Sequence, residues 1–211
     1  METIKIRWLG HSCFQITDGD YTIITDPYKD GSVPGYPPLR ATADRVIMSH
    51  GHDDHNAEEL ITIPEDSAAK TCPWTITEIP SYHDESRGAK RGTNTIRILD
   101  DGTFRIAFMG DFGCDLPPSD KKKLKGLDLM MMPVGGYFTL PPKRIRKIVR
   151  QLDPVVMIPM HYRFGNCGYD VIGTVEDYAK LCDDVVRYDS DTFELKKGME
   201  KQTAILTFQG K

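Results

Sequence analysis

Four metal-capable side chains, His50, His52, Asp54 and His55, fall within the six residues His50-Gly51-His52-Asp53-Asp54-His55. Neutral imidazoles and carboxylates are the ligands that zinc accepts, and with more carboxylate also manganese or iron. Such a group points to a metal site. The motif follows Val46-Ile47-Met48, an apolar run that reads as a buried strand. At a strand end, positions i and i+2 share a side, so His50 and His52 can present two imidazoles to one cation. Asp54 and His55 come where the backbone turns into an expected helix start, Asn56-Ala57-Glu58-Glu59-Leu60. They face away from the first pair and suit a second cation alongside. A plainer reading makes Asp54 a helix N-cap; it explains one residue and leaves three histidines in six positions unexplained.

The elements that must position these groups can be read along the chain. Ile4, Ile6 and Trp8 alternate with Lys5 and Arg7, the period-two mark of a half-buried strand. Cys13-Phe14-Gln15-Ile16 and Tyr21-Thr22-Ile23-Ile24-Thr25 read as a hairpin around Asp18-Gly19-Asp20. Residues 28–40, rich in Gly and Pro, form an irregular loop at a strand end aimed toward the metals, a length often used for binding. A weaker strand near Thr75–Ile79 leads to His83, and Asn94–Leu99 with Phe104–Met109 make a hairpin ending at Gly110-Asp111. Leu127–Pro133 is a buried strand, and Pro141-Pro142 opens a helix with Ile145, Ile148, Val149 and Leu152 on one face. Val155–Ile158 is a strand delivering His161, Thr174–Cys182 a helix, and Ala204–Phe208 a closing strand. All six histidines thus sit at strand ends or in the loops that follow them.

Composition narrows the function classes. A chain of 211 residues fits one domain spanning 1–211. Hydrophobic content of 39% and charged content of 27% are ordinary globular values. The net charge of −4 argues against nucleic acid as a partner. Five cysteines without paired spacing suggest free thiols in a reducing compartment. Met1-Glu2-Thr3-Ile4-Lys5 lacks the apolar core of a signal peptide, and no apolar run approaches the roughly 20 residues a membrane span needs. The expectation is a cytoplasmic protein acting on a small molecule, with no membrane partner and nothing against a homo-oligomer. Lys121-Lys122-Lys123-Leu124-Lys125 reads as a solvated face, and Met130-Met131-Met132 as core packing.

His-x-His-x-Asp-His after a strand resembles the signature of the metallo-β-lactamase-fold superfamily. The surroundings resemble the branch of metal-dependent hydrolases similar to the L-ascorbate-6-phosphate lactonase. The residues that carry this are Trp8-Leu9-Gly10-His11-Ser12-Cys13-Phe14, Thr25-Asp26-Pro27, Met109-Gly110-Asp111, Pro133-Val134-Gly135-Gly136-Tyr137-Phe138-Thr139 and Ile158-Pro159-Met160-His161-Tyr162. The resemblance implies an α+β fold, a four-layer αββα sandwich of two mixed sheets covered by helices. It implies one metal on His50, His52 and His83, a second on Asp54, His55 and His161, and Asp111 bridging both. The cofactor would be two divalent ions, zinc first, with manganese or iron as alternatives. One departure stands out: several relatives carry histidine three residues before the bridging aspartate, where this chain has Phe108.

The expected activity is hydrolysis of a small ester-like centre, whether phosphodiester, sugar-phosphate lactone or another ester, by a hydroxide bridging the two ions. Asp54 or Asp111 would relay the proton. Asp26 is placed to accept the free N–H of a ligating imidazole, although an Asx turn before Pro27 would also explain it. His11 would contact either substrate or a buried backbone group. Gly135, Gly136 and Tyr137, in the run Gly135-Gly136-Tyr137-Phe138-Thr139, could offer backbone N–H groups and an aromatic wall to substrate, or simply a tight turn. The rival readings are a nuclease or an iron-dependent oxidoreductase on the same ligands, and a metal-stabilised binding or scaffold protein without turnover.

Overall fold

The computed structural model describes residues 3–210; Met1, Glu2 and Lys211, and with them part of the N-terminal reading, lie outside the described residues. Alternating apolar side chains draw out β1 (Thr3–Gly10), which buries Ile4, Ile6 and Trp8 and exposes Lys5. The hairpin of β2 (Cys13–Asp18) and β3 (Tyr21–Thr25) follows as its sequence predicts, with Asp18 opposite Tyr21. The next strands are β4 (Ala41–Thr42), β5 (Arg45–Ile47), β6 (Ile61–Thr62), β7 (Thr75–Tyr82), β8 (Thr93–Asp100) and β9 (Arg105–Phe108). The second half runs α1 (Pro118–Lys123), β10 (Leu129–Pro133), α2 (Pro142–Leu152), β11 (Val156–Met160), α3 (Glu176–Ala179), β12 (Val185–Tyr188), β13 (Thr192–Lys196) and β14 (Gln202–Leu206).

Two mixed sheets result. One has the order β13-β1-β2-β3-β5, the other β12-β14-β11-β10-β9-β8-β7, and β4 pairs with β6 apart from both. In the larger sheet β9, β10, β11, β14 and β12 run parallel, while β8 and β7 turn back antiparallel. Central parallel strands are covered on both faces and so lose the polar alternation; every residue of β10 and of β11 is buried. Trp8, Phe14, Ile16 and Phe193 from the smaller sheet and Ile79, Ile96, Ile98 and Ile106 from the larger belong to one hydrophobic core. The α2 helix adds Ile145, Ile148, Val149 and Leu152 to it.

The opposite face of the smaller sheet, marked by Leu9, Cys13 and Ile24, is covered mainly by loop 28–40, whose Tyr28, Val33, Tyr36 and Leu39 form a second core there. Gly10 is required beneath Tyr36: its φ is +112°, and a Cβ would lie 2.6 Å from the Tyr36 ring. The sandwich is therefore as expected, with outer layers thinner in helix than the resemblance implies.

Two expected helices are shorter than their sequence suggests. Asn56–Leu60 contains only a 3-10 turn at Glu58–Leu60, flanked by Ala57, and no side chain caps it. Thr174–Cys182 is helical only as α3, because Leu181 and Cys182 donate to Tyr178 and Ala179, three residues back, and tighten the last turn. Strands β12 and β13 escape a sequence reading because both are short edge strands with exposed charge, including Arg187, Glu194 and Lys196. No helix among the described residues is long and apolar enough to cross a membrane.

Candidate metal centre

The strand ends converge at one rim of the sandwich. The segment after β5 supplies His50, His52, Asp54 and His55; the turn after β7 supplies His83; Gly110-Asp111 follows β9 and His161 follows β11. The β1–β2 turn brings His11, whose carbonyl accepts the backbone N–H of His161 at 3.2 Å and the Trp8 indole N–H at 3.0 Å. His11, Asp26 and His161 all adopt left-handed backbone, with φ of +50°, +38° and +51°. Such conformations in residues other than glycine are costly and gather at functional sites.

Two clusters of potential ligand atoms form, each within 4.8 Å: His50, His52 and His83 in one, His11, Asp54, His55 and His161 in the other. Asp111 lies between them. Its Oδ2 is 2.9 Å from His83 Nε2 in the first cluster, and 3.3 Å and 3.1 Å from His55 and His161 Nε2 in the second. The Asp54 side chain reaches into the second cluster, 3.5 Å from His55 Nε2 and 3.3 Å from His11 Nε2. It caps no helix. His11, which the sequence left between substrate and backbone, is fully buried within this second cluster.

Behind the clusters, Asp26 fixes which imidazole nitrogen stays free. Its Oδ2 lies 2.7 Å from His55 Nδ1 and accepts the Ser49 hydroxyl at 2.5 Å, and its Oδ1 accepts the Ser49 backbone N–H at 2.6 Å. The carboxylate can only accept, so His55 Nδ1 and the Ser49 hydroxyl both donate to it. The Ser49 oxygen must then accept from His50 Nδ1, 2.9 Å away. Both His50 and His55 thus commit Nδ1 to this network and turn Nε2 toward the centre, so that Nε2 is the atom each would offer a cation. The three carboxylate contacts to Ser49 and His55 occupy Asp26, although it also clusters with His50 and His55. Asn94 performs a similar service at Asp111: its amide donates to the Met109 carbonyl at 2.9 Å, and its Oδ1 accepts the Asp111 N–H at 2.9 Å.

The donor set fits metal. His55 Nε2 and Asp111 Oδ1 are buried polar atoms without a hydrogen-bond partner, an expense that proteins otherwise avoid. Burial, with the neighbouring His55 charge, pushes His50 down to about 3, and burial together with His161 pushes His11 down to about 4. Both are thus neutral imidazoles, the form that ligates. Burial also opposes charge on His55, but the Asp111, Asp54 and Asp26 carboxylates outweigh it and raise this histidine well above its ordinary value. Burial would raise Asp54 and Asp111 too; the surrounding histidines instead hold both well below the usual carboxylate range. Ionised carboxylates this deep call for a cation.

The site opens to solvent through a hollow of about 310 Å³ lined by His52, Asp54, His83, Lys90, Arg91, Asp111, Phe138, His161 and Tyr169. Gly135, Gly136 and Tyr137 line a different hollow. The Gly135 N–H donates to the His161 carbonyl at 3.1 Å, and a Cβ there would come within 2.2 Å of that oxygen. Close backbone packing, rather than N–H groups offered to substrate, accounts for this glycine. Of the aromatics in the run 135–139, Phe138 lines the hollow beside the metal cluster and Tyr137 does not. Loop 28–40 turns its apolar side chains inward to its own core and meets the site from behind: the Lys29 N–H donates to the Asp53 carbonyl at 2.8 Å, the Tyr36 ring lies 6.5 Å from that of His11, and the Ser32 carbonyl accepts the Tyr169 hydroxyl at 3.0 Å. Phe108 is fully buried in the main core. Sequence reading missed Ser49, Lys90, Arg91 and Tyr169; only the Lys90-Arg91 pair, in a loop after a histidine, carried a visible signal.

Residues 5–161 match the family description "Beta-lactamase superfamily domain". The chain belongs to this superfamily of metal-dependent hydrolases, the metallo-β-lactamase fold. A UPF0173 metal-dependent hydrolase from Thermus thermophilus is 27% identical over 195 residues, covering 75% of this chain and 84% of the relative. Another, from Thermococcus onnurineus, is 26% identical over 213 residues, covering 86% and 93%. Among solved structures, a candidate zn-dependent hydrolase of the metallo-beta-lactamase superfamily from Thermotoga maritima superposes with a TM-score of 0.74 at 27% identity, covering 96% of this chain and 98% of that one.

Proposed function

We propose that this hydrolase works through a dinuclear site on a small ester-like substrate, a phosphodiester, sugar-phosphate lactone or similar ester. His50, His52 and His83 would hold one divalent ion, Asp54, His55 and His161 the other, and Asp111 would join them. The observation that carries this reading is the position of Asp111 Oδ2, within 3.3 Å of imidazoles from both clusters. When bound, a pair of ions, zinc first with manganese or iron as alternatives, supplies Lewis-acid activation of water and charge neutralisation at the ester centre.

The chain's own residues do the rest. Asp26, through His55 and through Ser49, engages two Nδ1 atoms and so keeps the two Nε2 atoms aimed inward, where a cation would displace any proton they carry. His11 steadies Asp54 through Oδ2. Asp111, 2% exposed and engaged by three histidines, is poorly placed to exchange protons; Asp54, 14% exposed on the wall of the hollow, is the better relay. Phe138 and Tyr169 limit water around the bound substrate. The sequence carries no serine elbow, and burial raises the thiols of Cys13 and Cys114, which makes them poor nucleophiles.

The test is a panel of aryl phosphodiesters, lactones and carboxylic esters assayed with metal-loaded protein and with Asp111→Ala. The expected result is turnover in one class that falls at least a thousand-fold in the variant while its circular dichroism is unchanged. Equal rates in both proteins would remove the assignment.

A further inference from the structure

Once the proposed metal ligands are set aside, the residues lining the hollow are two cations, Lys90 and Arg91, and two aromatics, Phe138 and Tyr169. The only carboxylates on its wall, Asp54 and Asp111, lie against histidines. Neither Lys90 nor Arg91 makes an ion pair among the described residues, whereas Arg40, Arg105 and Arg187 on the surface each pair with a carboxylate. Arg91 donates to the Tyr137 carbonyl at 3.2 Å, and its guanidinium lies 5.7 Å from the centre of the Phe138 ring. It is therefore laid along the wall of the hollow with most of its five donors unused.

The loop that carries the pair is built to hold it there. The buried Asp84 carboxylate accepts four backbone N–H groups, those of Ser86 at 2.7 Å, Gly88 at 3.1 Å, Lys90 at 3.0 Å and Arg91 at 2.8 Å. Gly92 closes the turn by donating to the Gly88 carbonyl at 2.9 Å and accepting the His83 N–H at 3.2 Å. The loop's fold is thus pinned to His83 at one end and to the backbone of Lys90 and Arg91 at the other. A surface loop needing only solubility has no reason to order two cations beside a hollow.

We propose that Lys90 and Arg91 form an oxyanion-binding subsite, so that the substrate carries, besides its reacting ester centre, a separate anionic group such as a carboxylate or a phosphate. This rests on the dinuclear reading of the neighbouring site and specifies its substrate class. Arg91 supplies a planar fork matched to two oxygens, and Lys90 a point charge beside it. The aromatic faces of Phe138 and Tyr169 suit the carbon skeleton between the two ends.

The test is isothermal titration of zinc-loaded protein with butyrate, with dicarboxylates and with phosphonocarboxylates whose two ends are separated by two to four methylenes. A carboxylate end common to all three sets reports on the metal centre; the second end reports on the subsite. In the wild type, at least one doubly anionic series binds ten-fold or more tightly than butyrate, and the series that wins distinguishes carboxylate from phosphate-like recognition. In the Lys90→Ala/Arg91→Ala double variant that advantage falls below two-fold, and in Lys90→Arg, which keeps the charge, it persists. Equal binding of all probes by the wild type, or an advantage that survives in the double variant, overturns the subsite. Zinc content measured on the same samples separates the cases: protein that takes up no zinc refutes the dinuclear reading, and zinc-loaded protein blind to the second charge refutes only the subsite.

Discussion

Asp26→Asn tests the support of the metal centre with little change in shape. Asp26 is fully buried and accepts three hydrogen bonds, from His55 Nδ1, the Ser49 hydroxyl and the Ser49 N–H. An asparagine has one acceptor oxygen and must turn its NH₂ toward a donor on the other side. One rotamer loses the Ser49 N–H; the other loses both the Ser49 hydroxyl and His55. Each hydrogen bond to a charged group contributes about 1.5–3 kcal/mol. If only the milder loss reaches the ligands, metal affinity falls by about 10–100-fold, since about 1.4 kcal/mol corresponds to a factor of ten. The assay is a zinc titration against a competing chelator, with near-ultraviolet circular dichroism to show that the fold is retained. Wild-type zinc affinity in a folded Asp26→Asn protein would refute the claim that the charged, fully bonded Asp26 carboxylate supports the histidine ligands.

Gly135→Ala forces a Cβ to within 2.2 Å of the His161 carbonyl, so the backbone at this ligand must move; we expect about 1–3 kcal/mol of lost stability in urea unfolding, together with weaker zinc binding. Phe108→His places an imidazole at a fully buried core position; it should cost about 2–4 kcal/mol and leave zinc stoichiometry unchanged, as measured by denaturation and elemental analysis. Asp44, with a side chain only 4% exposed, accepts the Thr22 N–H and the Ser67 hydroxyl and pairs with Lys70. Asp44→Ala should cost about 2 kcal/mol at neutral pH. Burial opposes ionisation there, but Lys70 and the hydrogen bonds outweigh it and lower the Asp44 pKa. Its contribution is therefore complete above the unfolded carboxylate value and is lost as the pH falls through the lower folded value. The stability gap between wild type and Asp44→Ala should narrow below about pH 4; a gap that stays constant down to pH 2 would contradict this.

Much of the site was legible because histidine and aspartate at strand ends are rare without a reason. Strand and turn periodicity pair His50 with His52 and Asp54 with His55, the pairing that two of the groups of potential ligand atoms also show, while a third group joins His50 to His55 through Asp26. The Asp26 contact to His55 was also within reach, since a strand-ending carboxylate is a natural partner for an imidazole. What stayed hidden depends on packing between distant segments. Ser49 looks like any small polar residue until Asp26 and His50 are seen on either side of it. Gly135 suggested a substrate cradle, yet the close approach it permits is to the His161 backbone. The proline-rich loop 28–40 looked like a binding element, and its buried Tyr28 and Tyr36 show that its apolar residues were spent on a second core. For the fold, alternation revealed most of the strands, while edge β12 has no period to read and β13 alternates over only five residues, Phe193 and Leu195 buried beside exposed charges. The Thr174–Cys182 pattern was helical in composition, but three-residue hydrogen bonds cut the helix down to α3.

The central claim is that two ions sit on either side of Asp111. Crystals grown from zinc-loaded protein, with data collected at the zinc absorption edge, test it directly. The account predicts two anomalous peaks about 3.5–4 Å apart, one among His50, His52 and His83 and the other among Asp54, His55 and His161, with the Asp111 carboxylate between them. A single peak confined to one cluster, or none at saturating zinc, would contradict it.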